Sequence, residues 1–237
     1  MSEKRSEYIL DSDEVHRIIN ATQSTRDKLI LELLAYTGCR REELTLLRFK
    51  DILTKLDSDG NSIIDKIKIP TVKQEKRKTK DKNGKPINLP PLSKEERIQI
   101  AYKHAREIPI INDDLRRDIK SHIEVMKSTN RSISPTSRLI QSRQKNSITP
   151  EMINYIVGDC GRRAGVQNPN PNRVNIHPHQ FRHSLVRYGR KKGVDYKILS
   201  EMIGHSSVST TIDLYGTPDM QEKKEELKKL KDFGKEA

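Results

Sequence analysis

The sequence predicts a mostly α-helical domain that carries one small antiparallel sheet, an α+β arrangement. Three observations lead there. Apolar residues recur at helical spacing through most of the chain, and capping residues stand ahead of most of those runs. Short β-branched runs occur in one region, on either side of a Gly-containing turn at 57–62. With 237 residues the chain is long enough to bury a real core, yet it has no run of about 18 apolar residues that would span a membrane.

The elements follow in order. In LDSDEVHRIINA, Asp11 and Glu14 have the spacing of a capping box, and Val15, Ile18 and Ile19 share a face. A second helix runs from about Arg26 to Thr37-Gly38, where Gly suits a helix end. A third starts near Arg40 and presents Leu44 and Leu47. The turn DSDGNS then joins two strands, ILTKL and IIDKIKI; it lacks the ligand spacing and closing Glu of a calcium loop. From 73 to 85 the chain reads KQEKRKTKDKNGK, and its Asn83-Gly84 pair predicts a long basic β-hairpin returning through INLPP. Ser93 and Glu96 cap a helix with Ile98, Ala101, Tyr102 and Ala105. Asn112 opens another, with Leu115, Ile119, Ile123 and Met126, and STNRSISPTSR (128–138) is a loop. Thr149 and Pro150 begin a helix whose buried side is expected to hold Met152, Ile153, Ile156 and Cys160. Phe181, Leu185 and Tyr188 mark the inner face of the next helix, and Ile198, Leu199 and Met202 that of a helix ending at Gly204-His205.

Forty-six Lys and Arg against 33 Asp and Glu leave a net charge of +13, a field that attracts polyanions, of which nucleic acid is the commonest. The N-terminus MSEKRSEYIL has no signal-peptide core. Cys39 and Cys160 alone make no disulfide framework, so a reducing, cytoplasmic home is expected.

The stretch NIHPHQFRHS (175–184) concentrates three histidines. His177, His179 and His183 are expected to point to different faces, and neither Cys belongs to a CxxC pair, so no metal site is expected. His179 and Arg182, three apart, share one surface and suit a phosphate: the guanidinium grips two oxygens and the imidazole adds a donor or acceptor. Two further stretches add to it. In TGCRREELTLLRFKDI (37–52), Arg40 sits where a Thr-Gly break meets a helix start. In LSEMIGHSSVSTTIDLYG (199–216), Tyr215 follows His205 by ten residues.

Taken in this order, the three stretches resemble the catalytic domain of the tyrosine recombinases, the phage-type integrase family of lambda integrase, Cre and the Xer proteins. The resemblance covers about residues 8 to 217. It implies catalytic roles for Arg40 in TGCRREE, for His179 and Arg182 in HxxR, for His205 in GH, and for Tyr215 as nucleophile. The family's catalytic Lys closes a strand of the form IxIxxxK, which falls on Lys73 in IKIPTVK, with Lys78 in KTK as the second choice. Lys76, Arg77, Lys78 and Lys80 are expected to bind DNA.

The implied chemistry suits these residue types. Arg40 and Arg182 would stabilise charge on the non-bridging oxygens of a phosphorane-like transition state. The Tyr215 hydroxyl needs a base, for which His179 is the candidate, and Lys73 would give the 5′-oxygen its proton. His205 would hydrogen-bond the phosphate. The 3′-phosphotyrosine keeps the energy of the phosphodiester, so no cofactor or ATP loop is expected, and no GxxxxGK motif is present. The expected function is site-specific recombination of double-stranded DNA by a homotetramer, in a prokaryotic, viral or mobile-element setting. A type IB topoisomerase-like relaxing activity and a non-catalytic DNA-binding role are the alternatives.

Residues 1–217 are expected to form the catalytic domain, with about 106–138 as a possible insertion and 218–237 as a charged helical tail. With about seven residues ahead of the resemblance, the helical N-terminal domain usual in the family is expected to be missing from this chain.

Overall fold

The structure, a computed structural model, describes residues 8–72, 91–144, 146–216 and 228. The basic hairpin at 73–85 and nearly all of the tail lie outside the described residues, and with them Lys73, Lys76, Arg77, Lys78 and Lys80.

The helices are α1 (Ser12–Asn20), α2 (Thr25–Thr37), α3 (Arg41–Leu46), α4 (Lys94–Lys103), α5 (Asp113–Ser128), α6 (Pro150–Arg163), α7 (Pro178–Lys191), α8 (Tyr196–Ile203) and α9 (Val208–Tyr215). The strands are β1 (Ile52–Leu56), β2 (Ser62–Ile69) and β3 (Arg106–Pro109), an antiparallel sheet in the order β1-β2-β3. Capping starts the helices as their sequences imply. Asp11 and Glu14 exchange side chain-to-backbone hydrogen bonds at 2.7 and 2.9 Å, Ser93 and Glu96 do the same, and Thr149 accepts from the Met152 N–H.

Helix α2 is the centre of the core. Leu29, Ile30, Leu31, Leu33 and Leu34 are all fully buried, so it is apolar nearly all round, as a helix packed against α1, α5, α6 and α7 must be. The sheet lays Ile64, Ile67, Ile69 and Ile108 against the same core. Segment 106–138 supplies β3 and α5, whose Leu115 and Ile119 belong to that core too. A second, smaller cluster joins Val186, Leu199, Ile203 and Tyr215 between α7, α8 and α9.

Three expected inner faces need correction. Met152 (46% exposed), Tyr188 (51%) and Ile198 (58%) lie at the surface. In each helix the buried stripe is narrower than the apolar one, and Met152, Tyr188 and Ile198 fall outside it: Ile153, Ile156 and Val157 are buried in α6, Phe181 and Val186 in α7, and Leu199 and Ile203 in α8. Helix α4 stops at Lys103, so Ala105 lies beyond it and leads into β3, which carries no signal in the sequence because four residues ending in Pro are too short to show a period of two.

Candidate active site at the end of α2

The site begins where α2 stops. Gly38 closes the helix in the left-handed region (φ 61°), and its N–H donates to the Leu34 carbonyl. Thr37 turns its hydroxyl back to the Leu33 carbonyl and accepts from the Cys39 N–H. This tight exit places Arg40 as the N-cap residue of α3. Glu43 reaches back from the first turn of α3, accepting from the Arg40 backbone N–H at 3.0 Å and from its guanidinium at 2.9 Å.

Glu43 is fully buried and serves a second guanidinium. Arg106, at the start of β3, donates to Glu43 at 2.9 Å, to Thr71 Oγ1 at 2.9 Å and to the Met202 carbonyl at 2.7 Å. One side chain thus joins the sheet, α3 and the end of α8. Burial opposes the charge of Glu43, but Arg106 and then Arg40 outweigh it and hold its carboxyl below the ordinary range. Gly204, which ends α8 with φ 69°, lies so close that an added Cβ would meet Arg106 Nη1 at 3.0 Å. Arg106 stands in no motif, since its partners lie 35 to 96 residues away in the chain.

Helix α7 brings the histidines. His177 is the N-cap residue, accepting from the His179 N–H, while Gln180 accepts from the His177 N–H. It is therefore part of a helix start. His179 and His183 do not diverge as expected: four apart on one helix, they share a face. The rings of His177, His179, His183 and Tyr215 form a series with centroids 5.5, 6.5 and 5.6 Å apart.

Arg182 is buried, with Nη1 donating to the Gly38 carbonyl at 2.7 Å and Nη2 buried without a hydrogen-bond partner. Burial, and then Arg40, pull this guanidinium down to about 9, which still leaves it a cation at neutral pH. A buried cationic donor with no acceptor suits an anion brought in from outside. His205 pairs through Nδ1 with Thr211 Oγ1 at 2.9 Å; burial and the charges of Arg182 and Arg40 push it down to about 4, so it is neutral at pH 7. Burial and Arg182 lower His179 in the same direction.

Arg40, His179, Gly204, His205, Ser206 and Thr210 line an open cleft of about 670 Å³, whose wall also includes Val72, the residue immediately before Lys73. Tyr215, at the end of α9, is only 1% exposed. Its hydroxyl meets Nδ1 of His183 at 2.5 Å, so the contact expected of His179 is made by its neighbour one turn on. Burial pushes the phenol up to about 12, against the opposing pull of Arg182 and Arg40. The structure thus places Arg40, His179 and His205 on the wall of one cleft, with Arg182 and Tyr215 buried within electrostatic reach of them, and adds Glu43, Arg106 and His183.

Comparison with known proteins fits this arrangement. The sequence profile described as the phage integrase family matches residues 8–222. Tyrosine recombinase XerA of Pyrococcus horikoshii is 27% identical over 222 residues, which cover 94% of this chain and 61% of that protein. A crystal structure of XerA recombinase superposes with a TM-score of 0.63 at 21% identity, over 93% of this chain and 62% of that one. XerH site-specific recombinase, bound to its difH substrate before cleavage, gives a TM-score of 0.62 at 17% identity over 96% and 55%. The chain therefore spans between half and about three-fifths of the length of the XerA relatives it matches.

Proposed function

We propose that this chain, which belongs to the phage integrase family, carries the catalytic domain of a site-specific recombinase that cuts and rejoins double-stranded DNA through a 3′-phosphotyrosine. The observation that carries this reading is the meeting of Arg40, Arg182, His205 and Tyr215. These residues are up to 175 positions apart in sequence, yet they converge where Arg182 leaves a buried donor unused.

In this reading the scissile phosphate enters the cleft, and Arg40 and Arg182 bind its non-bridging oxygens. Their cationic donors are already fixed, by Glu43 and by the Gly38 carbonyl, so little reorganisation is needed as charge develops. Neutral His205 adds a hydrogen bond. Lys73 is the favoured donor of the leaving-group proton: consecutive Cα atoms are about 3.8 Å apart, and Val72 already lines the cleft, whereas Lys78 stands five residues further on. The domain is proposed to span residues 1–217, and 218–237 to be a tail. Four protomers acting on paired DNA sites in a prokaryotic or mobile-element cytoplasm complete the proposal.

The test is a pool of duplexes, randomised on both sides of an intact scissile phosphate, with a nick a few nucleotides to its 3′ side so that the freed 5′-hydroxyl fragment diffuses away, incubated with the protein. Adducts that survive denaturation, and that disappear in Tyr215→Phe, support the reading. A Tyr215→Phe protein that still forms adducts transfers the nucleophile elsewhere.

A further inference from the structure

We propose that His183, through Nδ1, is the base that takes the proton of Tyr215 during attack. This rests on the recombinase reading above and deepens it. The geometry has three parts. The Tyr215 hydroxyl lies 2.5 Å from Nδ1 of His183, within the range of strong O–H donation. Tyr215 is packed beside Val186, Leu199 and Ile203, so bulk water has little access to its hydroxyl. His183 also directly follows Arg182 on α7, so the group that receives the proton and the group that holds the phosphate are placed by one rigid helix. His179 opens to the cleft instead, beside Arg40, where it can contact the phosphate or the DNA strand.

The step balances without a co-reactant. As the Tyr215 oxygen bonds to phosphorus, its O–H bond breaks and the proton passes to Nδ1 of His183, whose ring carries its own proton on Nε2. The bond from phosphorus to the 5′-oxygen breaks, and that oxygen takes a proton from the lysine. Religation runs the same transfers backwards: the 5′-hydroxyl gives up its proton, and His183 returns one to the tyrosine. A phenol pushed well above neutrality needs such an acceptor, and a positioned base typically contributes 10²- to 10⁴-fold to a rate.

The experiment uses the randomised duplex pool with a 5′-bridging phosphorothioate at the scissile position. Its sulfur leaves without a proton, so the rate reports on the tyrosine side alone. Adduct formation is measured for wild type, Tyr215→Phe, His179→Ala, His183→Ala and His183→Asn, each checked for its unfolding midpoint and duplex affinity. The Asn variant can hold a hydrogen bond near the Nδ1 position but cannot accept a proton. His183→Ala and His183→Asn are expected to fall about 10²-fold or more, with free imidazole restoring at least tenfold to the folded Ala variant and nothing to Tyr215→Phe. His179→Ala is expected to keep more activity than either. The proposal is overturned if a His183 variant stays within threefold of wild type, if imidazole leaves the folded Ala variant unmoved, or if His179→Ala shows the imidazole response instead. Should wild type form no adduct, or Tyr215→Phe form as many, the recombinase reading fails rather than the assignment of His183.

Discussion

Two glutamates with the same near-total burial have opposite fates, and their neighbours explain why. Glu43 faces two guanidiniums and keeps its charge; Glu32 on α2 faces Asp118 and has one partly exposed Lys28 for relief. For Glu43 the sign is that of a depressed carboxyl: its contribution to stability is present above the ordinary Glu range and is lost as pH falls through the lower folded value. Arg106→Ala removes its principal partner and leaves a buried carboxylate with Arg40 and the Val72 N–H among the described residues. Breaking such a pair costs about 3–5 kcal/mol. The deficit should be full at pH 7 and shrink toward pH 4, where the variant's Glu43 takes up a proton. Urea unfolding at both pH values checks it, and an equal deficit at both would mean that Arg106 acts by packing alone. Arg40→Ala and Arg182→Ala are expected to lower adduct formation by about 10²-fold or more, the scale of a lost preorganised donor. At this scale the sequence was readable wherever chemistry sits in a short motif, as with HxxR or TGCRREE. It was silent on Arg106, whose partners come from three distant segments, and it placed the tyrosine's contact one helical turn early.

Elements were legible in proportion to their length and their caps. The capping boxes at Asp11 and Ser93 and the Thr149-Pro150 start mark helix beginnings because side chain and backbone satisfy each other locally. Strand β3 is defined only by its pairing with β2, which no local pattern reports. Two predictions belong here. Gly38 is held at φ 61°, and an added Cβ would meet Ile203 and Leu185 side chains at 3.1 Å. Gly38→Ala should therefore cost at least the 1–3 kcal/mol, roughly, of a left-handed non-Gly residue. Because the Gly38 carbonyl accepts from Arg182, the adduct rate should fall by more than the loss of folded protein explains. A rate that tracks only the folded fraction would break that link. The α2–α5 contact supplies the other. Burial first, then Asp118, raises Glu32 to about 8, so stability is greatest below the ordinary Glu value and is lost as pH rises toward 8. Glu32→Gln keeps a donor toward Asp118 without the charge. It should be nearly neutral at pH 5 and stabilising by about 1–3 kcal/mol at pH 9, discounted for the Lys28 pair. An effect independent of pH would show that the carboxyl is already ionised at pH 5.

At the scale of the whole molecule the governing quantity is charge. The net +13 says nothing of the fold, which the apolar periodicity and caps already predict; it bears on what the folded surface attracts. Among the described residues the cleft itself is cationic, lined by Arg40 with Arg182 beneath it, and the run from Lys73 to Lys85 adds seven positive residues against two acids. Binding to duplex DNA should therefore be driven largely by phosphate contacts and counterion release, with log K falling by about 0.9 per log unit of salt for each phosphate neutralised. Replacing Lys76, Arg77, Lys78 and Lys80 together by Ala should flatten that slope by about 0.9 for each of the four that meets a phosphate. Adduct formation at saturating DNA and low salt should stay near wild type, because the arginines and Tyr215 proposed to perform the chemistry are untouched and Lys73, not Lys78, is the proposed proton donor. Titrating one duplex over a range of salt concentrations, with adduct rates measured at saturation, separates the two effects. An unchanged slope would take these four residues out of the DNA contact. A collapsed rate at saturation would mean that Lys78 rather than Lys73 gives the leaving-group proton, or that the segment shapes the active site and does more than draw DNA toward it.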